Sequence, residues 1–315
     1  MNGVRVFKTL REGTSEHEMV KVLQNALGIT EDGGYGPKTT KAVFQRQANY
    51  RMRTDGVAGP DTLSHLEIWS PVVHGIDVSH HQGDIDWDKL AKAKIVFDGV
   101  EHPISFVYIR TSYGAFSDKP ENGPGNRCWD RKVERNMKGA IDRVPETGWR
   151  IGPYHAAYGT HTPEEEANNF YSAIEPFEKY LTMPPQLDVE GEPGVKGFKP
   201  TGQAALDWID QWVNATMMKL GIWIPKTISI YTSTRIAKLY SFPNEIGEYP
   251  TWTAKYGQQR NPMKPWDTWD IWQYTEKGVL SGITENTVDL NVLALDSITG
   301  SHFKMTDPYM SFPHS

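Results

Sequence analysis

Four acidic residues lie at or near the ends of strand-like segments, where their spacing suits acid–base chemistry. Asp188 and Glu190 stand two positions apart, and side chains at i and i+2 share one face of a strand. Carboxyl groups held this close shift each other's pKa, so one can stay protonated near neutral pH beside an anionic partner. Asp77 ends an earlier segment and Asp289 lies on a later one. A single strand-end acid is as often a cap as a catalyst, but four together favour a catalytic cleft.

The elements that must position these acids alternate between β and α patterns. Eight segments are strand-like, namely 74–78, 105–110, 150–158, 185–190, 227–232, 251–256, 270–274 and 288–292. Helical patterns over 130–144, 162–177 and 202–220 separate the earlier segments, whereas the last three have little helix between them. This order predicts an α/β fold, a TIM-like barrel of mainly parallel strands with an incomplete ring of helices. In such barrels, function lies at the carboxyl ends of the strands.

The first seventy residues contain an internal repeat. Asp32-Gly-Gly-Tyr-Gly-Pro-Lys-Thr39 recurs as Asp55-Gly-Val-Ala-Gly-Pro-Asp-Thr62. In each copy Asp-Gly suits a tight turn, and Gly-Pro places a proline at the first position of a helix, where its missing N–H leaves no bond unmade. We therefore predict a small all-α domain of three short helices over residues 1–70, followed by the barrel over residues 71–315.

Composition excludes several classes of protein. The 315 residues carry 33 basic and 39 acidic side chains, and this net charge of −6 argues against a nucleic-acid binder held by phosphate contacts. No apolar run is long enough to span a membrane. The single cysteine, Cys128, cannot form an internal disulfide, and the first thirty residues contain no apolar core of a secretory signal. We expect a monomer.

Five motifs of the barrel segment resemble family 25 of the glycoside hydrolases. In chain order they are Gly75-Ile-Asp-Val-Ser-His-His-Gln-Gly83, Gly152-Pro-Tyr-His155, Leu187-Asp-Val-Glu190, Trp272-Gln-Tyr274 and Val288-Asp-Leu-Asn291. The resemblance implies an N-acetylmuramidase, a lysozyme that cleaves the β-1,4 bond between N-acetylmuramic acid and N-acetylglucosamine in peptidoglycan. Carried over by position, it implies that Glu190 is the general acid and Asp188 its partner. It also implies that Asp77 and Asp289 line the same cleft.

Other residues are candidates for binding the substrate. Tyr154 matches the tyrosine of the family's Tyr-His-Phe strand, and Gln273 belongs to the Trp-Gln-Tyr motif. His80 is expected to line the cleft, and Trp252 and Trp272 are candidate platforms for sugar rings.

The second strand of the barrel departs from the family pattern. It reads Ile-Arg-Thr-Ser-Tyr-Gly over residues 109–114, where Lys-Ala-Thr-Glu-Gly is more usual. The resemblance therefore assigns no role to this strand end.

The repeat and its flanks, about residues 15–68, resemble the peptidoglycan-binding domain found on many cell-wall hydrolases. The Phe-Gln pair that this family carries on its second helix is expected at Phe44-Gln45. The resemblance implies bacterial peptidoglycan as the polymer bound. A binding domain ahead of a muramidase also resembles a bacteriophage endolysin, which would accumulate in the host cytoplasm and, after release, act on the cell wall in the periplasm.

The sequence leaves three mechanisms open. Retaining and inverting glycosidases differ in the separation of their two carboxyl groups, and a third class uses the substrate's own acetamido oxygen as nucleophile. An Asp-x-Glu pair on one strand suits the third class. We hypothesise that Glu190 protonates the leaving oxygen while Asp188 orients the acetamido group.

Two other functions also remain open. His80 and His81 near Asp77 suggest a metal-dependent peptidoglycan amidase or deacetylase, but a zinc site needs about three protein ligands and no matching third histidine motif appears. We therefore predict no metal and no cofactor. A non-catalytic cell-wall-binding protein is the other alternative, and the complete set of four acids argues against it.

Overall fold

The computed structural model describes residues 6–69, 72–97, 99–116, 123–192, 196–221, 227–257, 263–266 and 268–295. The chain divides into two compact units, the first formed by Met1–Val72 and the second beginning at Val73. No helix in these described ranges is long and apolar enough to cross a membrane.

The first unit contains three helices joined by the repeated turns. They are α1 (His17–Leu27), α2 (Pro37–Asn49) and α3 (Pro60–His65). Proline stands at the start of α2 and of α3, as the repeat predicts. Gly33 and Gly56 adopt the left-handed conformation that the Asp-Gly turns require.

A glutamine on the helix before each repeat ties the repeated turn to the helix that follows it. Gln24 Nε2 donates to Asp32 Oδ1 at 2.7 Å and to Thr39 Oγ1 at 3.0 Å. The matching bonds run from Gln47 Nε2 to Asp55 Oδ1 at 3.0 Å and to Thr62 Oγ1 at 3.1 Å. Gln47 is therefore the counterpart of Gln24, whereas Gln45 of the expected Phe44-Gln45 pair is not. Both of those side chains are exposed.

The second unit contains a closed eight-stranded barrel, which confirms the predicted fold class. The barrel strands are β1 (Val72–Val78), β3 (Val100–Phe116), β5 (Arg150–Ala156), β6 (Gln186–Asp188), β9 (Ser229–Ser233), β10 (Thr251–Ala254), β11 (Ile271–Gly278) and β12 (Val288–Ala294). Shorter strands lie outside the barrel, namely β2 (Lys94–Phe97), β4 (Arg127–Trp129), β7 (Gly191–Glu192) and β8 (Lys196–Gly197).

The last barrel strand runs in the opposite direction to the others. Neighbouring strands are parallel from β1 through β11, whereas β12 pairs antiparallel with β11 and lies beside β1 to close the barrel. Val288, the first residue of β12, pairs with Gly278, the last residue of β11. Asp289 therefore lies near the start of its strand, yet at the edge where the other strands end.

The helices of the second unit surround the barrel incompletely. They are α4 (Trp87–Leu90), α5 (Val133–Ile141), α6 (Val144–Thr147), α7 (Pro163–Ile174), α8 (Gly202–Leu220) and α9 (Thr234–Leu239). Thr162 and Glu165 form a capping box that begins α7. Within the described part of the chain, no α-helix lies between β10 and β12, as the sequence predicts.

Apolar side chains pack against both the outer and the inner face of the barrel. A large cluster packs the helices onto the outside of the barrel, with Trp212 of α8 and Phe170 of α7 fully buried within it. A smaller cluster, rich in aromatic rings, fills the barrel interior and includes Tyr108, Tyr154 and Trp252. Because Tyr154 and Trp252 also border the cavity described next, this packed interior forms its floor.

Candidate active site

A cavity of about 190 Å³ opens where the barrel strands end. Asp77, Asp188, Glu190 and Asp289 all line it, although they come from three different strand ends. A larger groove of about 390 Å³ lies beside α5, and it contains none of these four acids. The structure therefore brings the four acids predicted to be catalytic into one cavity.

Asp77 and Asp289 form a pair in which one carboxyl group stays protonated. Burial raises the pKa of Asp77, and hydrogen bonds from Asn291, Gln273 and Asp289 oppose that rise. Burial, together with the charge of Asp77, raises the pKa of Asp289 to about 9. At neutral pH Asp289 is therefore a hydrogen-bond donor, and Asp77 is its acceptor.

Two buried amides support Asp77, and aromatic donors fix their orientation. Asn291 Nδ2 donates to Asp77 Oδ2 at 2.7 Å, and Gln273 Nε2 donates to the same oxygen at 3.1 Å. Trp252 Nε1 donates to Asn291 Oδ1 at 2.8 Å, and Tyr231 OH donates to Gln273 Oε1 at 2.9 Å. Because each amide oxygen already has a donor, each amide must turn its N–H groups towards Asp77.

Asp188 is a buried carboxyl group with an unused acceptor. Burial raises its pKa well above the ordinary value, the charge of Glu190 adds to this rise, and Arg110 opposes it. Its Oδ1 atom is buried and has no hydrogen-bond partner among the described residues. A buried acceptor without a partner is costly, and a cost of this kind is one that functional sites retain.

Glu190 lies on the open side of the cavity, directly after β6. Its side chain is exposed, while the backbone segment is fixed because Glu190 O accepts from Phe198 N at 3.1 Å. Desolvation by the surrounding protein raises the pKa of Glu190, with Asp77 adding to the rise and Arg110 opposing it. Glu190 can therefore hold a proton at a pH where an isolated glutamate has lost it, and it can present that proton to a ligand.

Arg110 is a cavity residue to which the sequence assigned no role. It lies on β3 opposite Tyr154 of β5, and among the described residues that line the cavity it is the only arginine or lysine. Its Nε donates to Asp130 Oδ2 at 2.9 Å. The signal was present in the sequence, because the departure from the family pattern over residues 109–114 includes this arginine.

The residues predicted to bind substrate divide into two groups. Tyr154, Trp252 and Gln273 line the cavity. Trp272 does not, because adjacent residues of a strand point to opposite faces, and its Nε1 donates to Lys255 O. His80 also does not line the cavity, since its ring contacts Asp130 and Arg110, whereas the adjacent His81 does.

The described residues contain no group of three or more His, Cys, Asp or Glu side chains placed to hold a metal ion. Burial lowers the pKa of His81, and the positive charge of Arg110 adds to this shift. The cavity chemistry available from these residues is therefore acid–base and electrostatic.

Two family models match the chain in separate regions. Residues 76–283 match glycosyl hydrolases family 25, and residues 16–66 match a peptidoglycan binding domain. The first match covers the cavity residues from Asp77 to Gln273, and the second covers both repeated turns.

Two bacterial proteins are similar to this chain in sequence over most of its length. YegX of Escherichia coli K12 is 28% identical over 223 residues, which is 71% of this chain and 70% of YegX. Lysozyme M1 of Streptomyces globisporus is 26% identical over 239 residues, 74% of this chain and 72% of that protein.

Solved structures show the same barrel fold. The bacterial lysozyme of Streptomyces coelicolor superposes with a TM-score of 0.56 at 21% identity, covering 76% of this chain and 98% of that one. The catalytic domain of endolysin ply40, from bacteriophage P40 of Listeria monocytogenes, gives 0.51 at 21% identity over 74% of this chain and 98% of that one.

Proposed function

Because the chain belongs to family 25 of the glycosyl hydrolases, we propose that it is an N-acetylmuramidase. The bond cleaved is the β-1,4 linkage between N-acetylmuramic acid and N-acetylglucosamine. Similarity to lysozyme M1 and the peptidoglycan binding domain over residues 16–66 both support a cell-wall polymer as substrate. The observation that carries the proposal is one cavity in which an exposed, proton-retaining Glu190 stands beside a buried Asp188 with an unused oxygen.

Glu190 is the general acid of the proposed reaction. Its raised pKa favours the protonated carboxyl group, and its exposure lets it reach the glycosidic oxygen of a bound glycan. As the C1–O bond breaks, the Glu190 proton passes to the departing oxygen. The Glu190 carboxylate then accepts a proton from the water that attacks in the second step.

Asp188 assists a nucleophile that belongs to the substrate. In this route the acetamido carbonyl oxygen attacks C1 of N-acetylmuramic acid and forms a cyclic oxazolinium. The Asp188 carboxylate, which lines the cavity, accepts a hydrogen bond from the acetamido N–H, which orients the group and stabilises the positive charge that develops. Water then opens the ring at C1, so that the product retains the β configuration.

The acetamido group provides a direct test of this route. Peptidoglycan in which the muramic acid residues are N-deacetylated lacks the nucleophile, so it should be cleaved at least about 100-fold more slowly than the intact polymer. Chemical re-acetylation of the same material should restore cleavage. Equal rates on both materials would show that Asp188 or water attacks C1 instead.

The proposed activity is tested by the products released from purified peptidoglycan. New reducing ends, with N-acetylmuramic acid as the reducing sugar in mass spectra, are the expected result. New free amines without reducing ends would favour an amidase or a deacetylase. Binding to the wall without any product would favour a non-catalytic wall-binding protein.

We also propose that the protein is a phage endolysin held in the host cytoplasm until release. The order of binding domain and hydrolase supports this role, as does the fold shared with endolysin ply40. Expression of the chain inside a bacterium should leave the cells intact until a membrane-permeabilising agent is added. Lysis without that agent would contradict the proposed confinement.

A further inference from the structure

Asp130 is a buried carboxylate that contacts the active-site cavity only through other residues. It is fully buried and lies just before α5, and its Oδ1 accepts from Lys132 N at 2.9 Å. Its Oδ2 accepts from Arg110 Nε at 2.9 Å, from His80 Nδ1 at 2.8 Å and from His80 N at 3.1 Å. Asp130 therefore joins β3, the turn after β1 and the start of α5.

These contacts fix the Asp130 carboxylate as an anion. Burial alone would raise the pKa of Asp130, but the charge of Arg110 and the hydrogen bonds from His80 and Lys132 lower it below the ordinary value. With four hydrogen bonds converging on one carboxylate, its position has little freedom. The guanidinium of Arg110 is held in turn, because its Nε donates to Asp130 Oδ2.

The rest of the Arg110 guanidinium faces the acids of the cavity. Its positive charge opposes the rise in pKa of Asp77, Asp188 and Glu190. The charged and titratable groups around Arg110 come from five parts of the barrel, namely Asp77 from β1, His80 and His81 after β1, Asp130 before α5, Tyr154 and Tyr158 from β5 and the loop after it, and Asp188 and Glu190 at the end of β6. The acids outnumber this one arginine, so its position decides how far each acid can ionise.

We propose that Asp130 is a positioning residue for catalysis, which holds the positive charge of Arg110 against the acids that line the cavity. This inference rests on the proposed muramidase reaction and extends it to a residue that does not touch the substrate. His80 belongs to the same cluster, because its Nδ1 and its backbone N–H both donate to Asp130 Oδ2. Its role is therefore to hold Asp130, and through it Arg110, rather than to contact the sugar.

The Asp130→Asn variant tests this inference through the pH dependence of kcat/KM. When Arg110 loses its anchor, its charge moves away from the acids, and the pKa values of Asp188 and Glu190 rise. Both limbs of the bell-shaped profile should then move to higher pH by about 1 unit, the usual effect of one nearby opposite charge. The kcat value at the original optimum should fall about tenfold, with KM nearly unchanged.

A matched control separates positioning from a general loss of packing. Glu166 is also a fully buried carboxylate, and it accepts from His155 Nε2 at 3.1 Å and from the backbone N–H groups of Tyr158 and Gly159. It does not line the cavity. Glu166→Gln should lower the melting temperature by an amount similar to Asp130→Asn, while both limbs of its pH profile stay in place.

Two further variants keep the proposal testable if Asp130→Asn folds poorly. Arg110→Gln should move both limbs in the same direction, since it removes the charge that Asp130 positions. The double variant Arg110→Gln/Asp130→Asn leaves no unpaired buried charge, and its limbs should move no further than those of either single variant. Unmoved limbs in Arg110→Gln or in the double variant would overturn the proposal, as would an equal shift in Glu166→Gln. A wild-type protein that releases no reducing ends would instead refute the proposed function itself.

Discussion

The pKa values of the aspartates in the repeated turns and of the acids in the barrel cavity are shifted in opposite directions. In the turns, hydrogen bonds from glutamine side chains and backbone N–H groups lower the pKa of Asp32 and Asp55. In the cavity, burial and neighbouring carboxylates raise the pKa of Asp188 and Asp289. The first region uses aspartate as a stable anion, whereas the second holds the same residue type close to protonation.

The two regions also differ in how many of their polar groups have a hydrogen-bond partner. Each amide of Gln24 and Gln47 makes bonds through both its oxygen and its nitrogen, so these two amides are fully used in holding the turns. The cavity contains the unpartnered Oδ1 of Asp188 and the exposed carboxyl group of Glu190. Fully paired polar groups stabilise the fold, while unpaired buried ones lower stability and are retained where a substrate supplies the missing partner.

The largest expected effect comes from Glu190→Gln, which removes the proton donor from the cavity. Activity should fall about 100- to 10,000-fold, because proton transfer to the leaving oxygen is lost. The melting temperature should hold or rise, because glutamine removes a carboxyl group that desolvation disfavours as an anion. Release of reducing ends and thermal unfolding measure the two outcomes.

The control for this variant is the same substitution at an exposed glutamate. Glu164 lies in the first turn of α7 and is exposed. Glu164→Gln should keep full activity. Activity retained by Glu190→Gln would contradict both the assignment of the general acid and the contrast between the two regions.

Sequence patterns predicted the barrel and the four clustered acids, because alternation and strand-end position are local features. The reversal of β12 could not be predicted, since a pattern of buried residues has no direction along the chain. The sequence also did not decide which face of β11 meets the cavity, so Gln273 and Trp272 were both named although they point to opposite sides. The role of Asp130 depends on partners 20 and 50 positions away in sequence, Arg110 and His80, which no local pattern relates.

Gln47→Ala should have the next largest effect, this time on stability alone. The substitution leaves Asp55, Thr62 and the N–H of Gly56 without their partner, which should destabilise the first unit by about 3 kcal/mol. Gln45→Ala, two positions away on the same helix, should have almost no effect because Gln45 is exposed. Chemical denaturation of the full chain measures both variants. Equal losses would show that the second repeat is not organised around Gln47.

Asp289→Asn should reduce activity by only about tenfold, well below the effect of Glu190→Gln. At neutral pH Asp289 is protonated and donates to Asp77, and an asparagine N–H can donate in its place.

The effect of Asp289→Asn on stability depends on pH. The folded protein holds the Asp289 proton up to about pH 9, whereas an unfolded chain releases an aspartate proton at about pH 3.9. Folding therefore takes up a proton between these values, and the stability contributed by this site falls as the pH rises. Asparagine has no proton to lose, so the variant should gain on the wild type in melting temperature as the pH increases towards 9. A constant difference across that range would contradict the protonated state of Asp289.

The smallest expected effect is that of a metal chelator, which should leave activity unchanged. Carboxyl groups bind metal ions only after they lose their protons, and the pKa of each acid in the cavity is raised. Of the two adjacent histidines, His80 is committed to Asp130 and Arg110, so only His81 faces the cavity. One histidine beside acids whose pKa values are raised differs from the three deprotonated ligands of a catalytic zinc site. Activity assayed after prolonged dialysis against a chelator measures this point. A loss of activity that zinc restores would support the amidase or deacetylase alternative, and it would require the acids of the cavity to be anionic, like those of the repeated turns.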